Sequence, residues 1–429
     1  MSALVIRGGR VVDPSQGLDE TRDLLVEDGR VARVAARVGA RRGVEVIDAE
    51  GLVVVPGLID MHVHLREPGQ EYKETVESGT RAAAAGGFTA VACMPNTDPV
   101  NDSRSVTEHV TKEAARAGFA RVHPIGAVSK GQRGEELAEI GDMVDGGVVA
   151  ISDDGFPVAS PELMRRALEY AQHYDLAVIQ HAEELDLGAG GVMHEGEHST
   201  RLGLPGLPGA AEDLMVARDL LLLELTGGRY HVAHLSTARS LELVRDAKGR
   251  GLPATCEVTP HHLLLTDEEV AASGMSTHTK MKPPLRSEDD RQALVAGLVD
   301  GTVDAIASDH APHHADEKDV EFSRAPFGIV GLETTLSLCL DRLVRPGIID
   351  LARLIELLST TPARILGVEG GSLAEGRVAD VTLLSLDRRV TINPGRFHSK
   401  GRNTPFAGWK LKGRPVATVV GGRRIELRG

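Results

Sequence analysis

Aromatic residues are scarce in this chain, with one Trp, four Tyr and seven Phe among 429 residues. Large flat side chains therefore cannot fill the core, and Ala, Val and Leu must do most of the packing within a 41% apolar fraction. Cysteine is nearly absent. Cys93, Cys256 and Cys339 lie far apart in apolar stretches, which excludes a disulfide framework or a CxxC metal site and fits a reducing compartment. No apolar run reaches the roughly 20 residues needed to cross a bilayer. The opening MSALVIRGGRVVDP lacks the apolar core and cleavage site of a signal peptide, so a cytoplasmic location is expected. Positive charge is in deficit too: 48 Lys and Arg stand against 62 Asp and Glu, a net −14. Without a basic stripe, that balance excludes nucleic-acid binding through phosphates.

What remains is a long chain with two kinds of patterning. Residues 1–55 and 370–429 carry short β-type runs separated by Gly and Asp turns, such as ALVIRGGRVVD near the start and WKLKGRPVATVVGGRRI near the end. They are expected to form one small composite β-sandwich domain. Residues 56–369 alternate apolar runs with helical segments. The runs are GLIDMHVHL, FTAVACMPN, RVHPIGAV, GVVAISDDG, LAVIQHAEE, YHVAHLS, PATCEVTPHH and VDAIASDHAPHH. Stretches such as SVTEHVTKEAARAG and ELMRRALEYAQHY separate them with helical periodicity. Eight buried strands with intervening helices predict a (β/α)8 TIM barrel.

Several of these runs end in a group able to bind metal or substrate: His62 and His64, Asn96, Asp153 and Asp154, His181, His234, and Asp309. Barrel enzymes build their sites at the C-terminal ends of the strands, so these residues should converge on one mouth. Residues 187–209 and 311–328 form the two long loops expected to cover it. His62 and His64, spaced i, i+2 on a strand, should point the same way and form a metal pincer. One Asp of the Asp153–Asp154 pair is a turn residue by default, while the other could bridge two cations. The residues alone do not choose between them. His231 lies three positions before His234, which directs it to the opposite strand face and a structural role. Asp309 is the natural acid/base beside a metal site.

The motifs DMHVHLREPG, MPNT, SDDG, HAEE, GLPGLPGAAE, HVAHLSTA, CEVTPHHL, PPLR, SDHAPH and PFGIVGLE occur in this order over nearly the whole chain. Together they resemble the bacterial type I dihydroorotases of the amidohydrolase superfamily. The resemblance implies a barrel with a composite β domain and the reversible conversion of N-carbamoyl-L-aspartate to L-dihydroorotate, a step of pyrimidine synthesis. It implies two Zn2+ ions: one held by His62, His64, Asp154 and Asp309, the other by Asp154, His181 and His234. A hydroxide bridging the metals would then attack the ring amide, with Asp309 as acid/base. The resemblance resolves the acidic pair in favour of Asp154.

By the same resemblance Arg66 and Asn96 bind the substrate carboxylate, and His64, His313 and the backbone of Phe327 and Gly328 complete the pocket. A guanidinium two residues past His64 can grip a carboxylate bidentately. Lys282 stands where the family usually has Asn before PPLR, and it is expected to face the ligand. The related hydantoinases and dihydropyrimidinases bridge their metals with a carboxylated lysine, but no lysine occurs here between Lys130 and Lys248. The resemblance is compatible with a homodimer and with a complex with aspartate transcarbamoylase. Two alternatives compete with the enzyme reading: a non-catalytic scaffold for that transcarbamoylase, and activity on another cyclic amide such as allantoin or hydantoin.

Overall fold

The computed structural model describes residues 3–39 and 44–427. The chain begins in a sheet: β1 (Ala3–Asp13), β2 (Leu18–Glu27), β3 (Arg30–Ala35), β4 (Glu45–Asp48) and β5 (Val53–Pro56). Strand β1 pairs with β2 along one edge and with two strands in turn along the other, its first half with β4 and its second with β5. Its register against β2 slips between Ile6 and Gly9. A Cβ on Gly9 would lie 2.5 Å from a Val54 methyl carbon, so this crossing requires glycine.

The barrel follows, with β6 (Leu58–Val63), β7 (Phe88–Cys93), β8 (Arg121–Gly126), β9 (Ala150–Ser152) and β10 (Ala177–Gln180). After a minor two-stranded ladder, β11 (Met193–His194) with β12 (Gly206–Leu207), it resumes as β13 (Arg229–Val232), β14 (Ala254–Val258) and β15 (Ala305–Ile306). All neighbouring pairs are parallel. A parallel bridge from Val63 to His310 closes the ring, reinforced by the His64 N–H donating to the His310 carbonyl at 2.9 Å. These eight strands are the eight apolar runs read from the sequence.

The intervening helices bury one stripe each. In Pro161–Ala171 the buried residues are Leu163, Met164, Ala167, Leu168 and Ala171, at the i, i+4 spacing of a single face. Ser160 caps that helix by accepting from the Leu163 N–H, and Pro161 occupies its first turn. The scarcity of aromatics shows in the barrel lumen, which is filled by Ile59, Met61, Ile125 and Ile179 among Ala90, Ala92, Ala150, Ala233, Ala305 and Ala307. Ala363, Ile365 and Leu366 of the helix Thr361–Leu366 pack on the same cluster.

The chain then returns to the first sheet. Strand β16 (Val381–Thr391) pairs antiparallel with β5, and β17 (Lys410–Val420) and β18 (Arg423–Arg424) extend that edge. Both chain ends therefore share one core, in which Leu4, Ile6, Val11, Leu24 and Val54 meet Leu373, Val381, Leu383 and Val419. Among the described residues no helix is long and apolar enough to cross a membrane.

Candidate metal centre and substrate cavity

The strand-end groups meet. His62 is the penultimate residue of β6 with His64 just beyond the strand, Asp154 follows β9, His181 follows β10, His234 lies past β13 and Asp309 past β15. All six are buried. His64 Nε2 lies 3.1 Å from Asp309 Oδ1 and 3.5 Å from Asp154 Oδ2, and His62 Nε2 lies 3.3 Å from Asp154 Oδ2 and 3.5 Å from Asp309 Oδ1. Four ligands placed tetrahedrally around an ion at zinc–nitrogen bond length would stand roughly 3.3 Å apart. The second group is similar: His181 Nδ1 is 2.9 Å from His234 Nε2 and 3.5 Å from Asp154 Oδ1, which is 3.4 Å from His234 Nε2.

The donor chemistry fits cations at both places. His62 Nε2 and Asp154 Oδ1 are buried without a hydrogen-bond partner, a costly state that a metal ion would relieve. Asp154, with one oxygen toward each group, is placed to join them. Asp153 is not: its carboxylate accepts from the Val128 and Ser129 N–H groups and from the Ser129 hydroxyl, which is turn-holding work.

The tautomers are set from behind. His62 Nδ1–H donates to Glu257 Oε1 at 2.7 Å, and His64 Nδ1–H donates to Asn96 Oδ1 at 2.9 Å. Both rings therefore offer Nε2 to the centre. Burial pushes the Glu257 carboxyl up, but His62 and His231 outweigh it and draw it down to about 2. Burial likewise opposes ionisation of Asp309, and His62, His64 and His234 overcome it, holding the carboxyl below its ordinary range. Glu257 sits mid-strand and pairs with a residue 195 positions away, so no spacing in the sequence marked it.

His231 departs from the parity argument. Its Nδ1 is 2.8 Å from the Thr255 hydroxyl and its Nε2 is 3.4 Å from Glu257 Oε2, so it faces toward the metal-site side rather than away. His234 lies beyond the strand end with φ 33°, which breaks the alternation on which that argument relied. A structural role for His231 is consistent with these contacts.

Above the centre opens a cavity of about 600 Å³. His64, Arg66, Asn96, Lys282, His313, Phe327 and Gly328 all line it. The Arg66 guanidinium is buried, its Nε donating to the Pro312 carbonyl at 3.3 Å. Asn96, with its oxygen engaged by His64, has its amide nitrogen left to donate. His313 Nε2–H donates to the Phe327 carbonyl at 2.7 Å, and burial with the nearby Arg66 charge lowers the imidazole to about 2, keeping it neutral. Lys282 Nζ pairs with Glu183 Oε1 at 2.9 Å and lies 5.5 Å from the centre of the Phe327 ring.

Of the two loops expected over the mouth, only 311–328 lines the cavity. Residues 187–209 fold into the β11–β12 ladder and the helix Glu197–Leu202, where Val192 and Met193 pack on Val270 and Phe322. Their apolar side chains find a partner beside the second loop, which draws the stretch away from the mouth. Sequence reading also missed Asn403. Its amide donates to the Ala311 carbonyl at 2.9 Å and the Gly328 carbonyl at 3.0 Å, tying both ends of the loop together.

A parallel barrel with a ring of strand-end His and Asp side chains and a buried Arg in the cavity above them defines a hydrolase of the cyclic-amide class. The comparisons agree. A family model described as dihydro-orotase-like matches residues 51–240. A dihydroorotase of Anaeromyxobacter dehalogenans (strain 2CP-C) is 59% identical over 426 residues, covering 99% of this chain and 98% of that one. A dihydroorotase of Geobacter metallireducens is 53% identical over 425 residues, covering 99% and 100%. Among solved structures, an L-hydantoinase (dihydropyrimidinase) from Arthrobacter aurescens superposes with a TM-score of 0.88 at 27% identity, covering 99% of this chain and 96% of that one. The chain belongs to the dihydroorotase family.

Proposed function

We propose that the chain is a zinc-dependent dihydroorotase that interconverts N-carbamoyl-L-aspartate and L-dihydroorotate. The observation that carries this reading is the buried Arg66 opening into the same cavity as the two His/Asp groups, since a neutral cyclic amide would have no use for it. His62, His64, Asp154 and Asp309 would hold one ion, and Asp154, His181 and His234 a second. Bound there, the cations would lower the pKa of a shared water and polarise the ring carbonyl.

The chain's own residues do the rest. Arg66 and the Asn96 amide grip the substrate carboxylate, while neutral His313 and the backbone of Phe327 and Gly328 complete the pocket. Asp309 takes the proton of the attacking water as the new carbon–oxygen bond forms. It returns that proton to the ring nitrogen as the carbon–nitrogen bond breaks, giving the ureido NH2 and a free carboxylate. Ring closure reverses these steps. Lys282, held by Glu183 at the cavity wall, faces the ligand's acidic side. Residues 1–55 with 370–429 are taken as one domain and 56–369 as the other, a division supported by the separate core of the terminal strands.

Purified protein stripped of metal and reloaded with zinc should be assayed on dihydroorotate, carbamoyl aspartate, dihydrouracil, hydantoin and allantoin. Turnover is expected only with the two acidic compounds and only after reloading, with two zinc ions per chain by metal analysis. Preferential turnover of a neutral ring, or none at all in the zinc-loaded protein, overturns the reading.

A further inference from the structure

Two lysines beside the cavity, Lys280 and Lys318, are buried at 2% and 5% exposure. Among the described residues neither ammonium forms an ion pair; both donate to backbone carbonyls. Lys280 Nζ donates to Phe322 O at 2.9 Å and Ser323 O at 3.0 Å, while Lys318 Nζ donates to Thr277 O at 3.1 Å and Pro326 O at 2.7 Å. Three of these four acceptors belong to 311–328, the loop that lines the cavity. Lys280 also lies 4.6 Å from the centre of the Phe327 ring, and its own carbonyl accepts from the Gly328 N–H at 2.9 Å. The Thr277 hydroxyl donates to the Lys318 carbonyl at 2.6 Å, so the segment before PPLR and the loop are laced in both directions.

A buried cation without a paired carboxylate is expensive, and a chain filling space alone would use Met or Leu here. The cost shows in the ammonium groups themselves: burial draws Lys280 down to about 8, and burial with the neighbouring Lys280 charge draws Lys318 to about 7 against the pull of Glu317. A loop has carbonyls that no ladder satisfies, and an ammonium can take several at once. Hydrogen bonds to charged groups are the stronger ones, so each lysine can hold a piece of irregular backbone that its own sequence would not order.

We propose that Lys280 and Lys318 are positioning residues for substrate: they clamp residues 311–328 by backbone carbonyls so that the Phe327–Gly328 backbone is preset over the cavity. This rests on the reading of that backbone as a substrate contact. Asn403 holds the loop's ends, whereas the lysines hold its interior, Lys280 from the segment before PPLR and Lys318 from within the loop itself.

The test uses zinc-loaded full-length protein carrying Lys280→Met, Lys318→Met or Lys280→Arg, with steady-state kinetics on carbamoyl aspartate and dihydroorotate. Tryptic cleavage after Arg324, an exposed residue inside the loop, is followed with and without dihydroorotate. The methionine variants are expected to raise KM about tenfold with kcat changed less than threefold. They should also cut faster after Arg324, with substrate restoring protection and Lys280→Arg restoring KM. If Lys280→Met does not fold, Lys280→Gln, which keeps a donor but loses the charge, takes its place. KM within twofold of the parent with unchanged cleavage after Arg324 overturns the proposal. So does faster cleavage throughout the chain with KM unchanged, which would assign the lysines to the fold alone. Absence of dihydroorotase activity in the parent protein would instead overturn the functional reading on which the proposal rests.

Discussion

Replacing Glu257 by Gln removes one charge behind the metal centre while leaving shape almost untouched. In the parent, Glu257 Oε1 accepts from His62 Nδ1–H at 2.7 Å, and Oε2 lies 3.4 Å from His231 Nε2. His231 Nδ1 meets the Thr255 hydroxyl at 2.8 Å, so with Nδ1 protonated its Nε2 can accept. A glutamine can therefore place its oxygen on His62 and its amide on His231, keeping both contacts and the His62 tautomer. What changes is the strength of the bond to His62, while His231, which supports the carboxylate in the parent, must carry its proton on Nδ1 to accept from the new amide. A hydrogen bond to a charged group contributes about 1.5–3 kcal/mol and a neutral one about 0.5–1.5, a difference near 1–1.5 kcal/mol. At about 1.4 kcal/mol per decade that is roughly a five- to thirteenfold loss of metal affinity, at the lower end of the effects expected from groups supporting a metal ligand. Competition against a chelator of known affinity reads the loss directly. Turnover should fall at limiting zinc and recover when zinc is in excess. A chelator midpoint within twofold of the parent, with the protein folded, refutes the role assigned to Glu257.

Three further outcomes are expected. Asp309→Asn, assayed at saturating zinc, should lower turnover by about 10²- to 10⁴-fold; near-parent turnover removes Asp309 as the acid/base. Lys282→Asn should raise KM for dihydroorotate about tenfold, equivalent to ~1.4 kcal/mol, and an unchanged KM shows that Lys282 does not face the ligand. Stability should fall as pH drops below about 6.5. Burial with the neighbouring Arg121 lowers His123 to about 4, and burial with Arg286 does the same for His194. Both are neutral in the fold and protonate first in the unfolded chain, so stability present above the unfolded value is lost as pH falls through the window down to the folded one. Urea midpoints at pH 7, 6 and 5 check this, and His123→Gln should flatten the slope by up to one proton; a midpoint that rises toward pH 5 contradicts it.

The barrel was legible because each strand is a continuous apolar run, and because several runs end in a polar group that a barrel bottom or exterior would not need. The convergence of those groups on one cavity follows from the topology alone. Supporting residues were harder to read. Glu257 and Asn403 take their partners from segments 195 and 92 positions away, and neither sits in a spacing that sequence can register. His231 was misdirected by a strand parity that fails where the chain turns left-handed at His234. The destination of 187–209 depended on Phe322 offering an apolar seat, which only the folded arrangement reveals. The choice between Asp153 and Asp154 needed either the family's motif or the Ser129 contacts.

Asn403 has a consequence in time. It is made 92 residues after Ala311, the first loop carbonyl it binds. At about 5–20 residues per second a ribosome needs roughly 5–18 s to cover that interval. Throughout it the side chains proposed to bind metal have all been synthesised while the loop beside them still lacks its tether. The strands on either side of Asn403, β16 and β17, are also the ones that complete the sheet begun by β1 and β5. Closure of the substrate cavity thus waits on the return of the chain to its first sheet, and a chain cut short before Asn403 would carry the proposed metal ligands without a finished binding site.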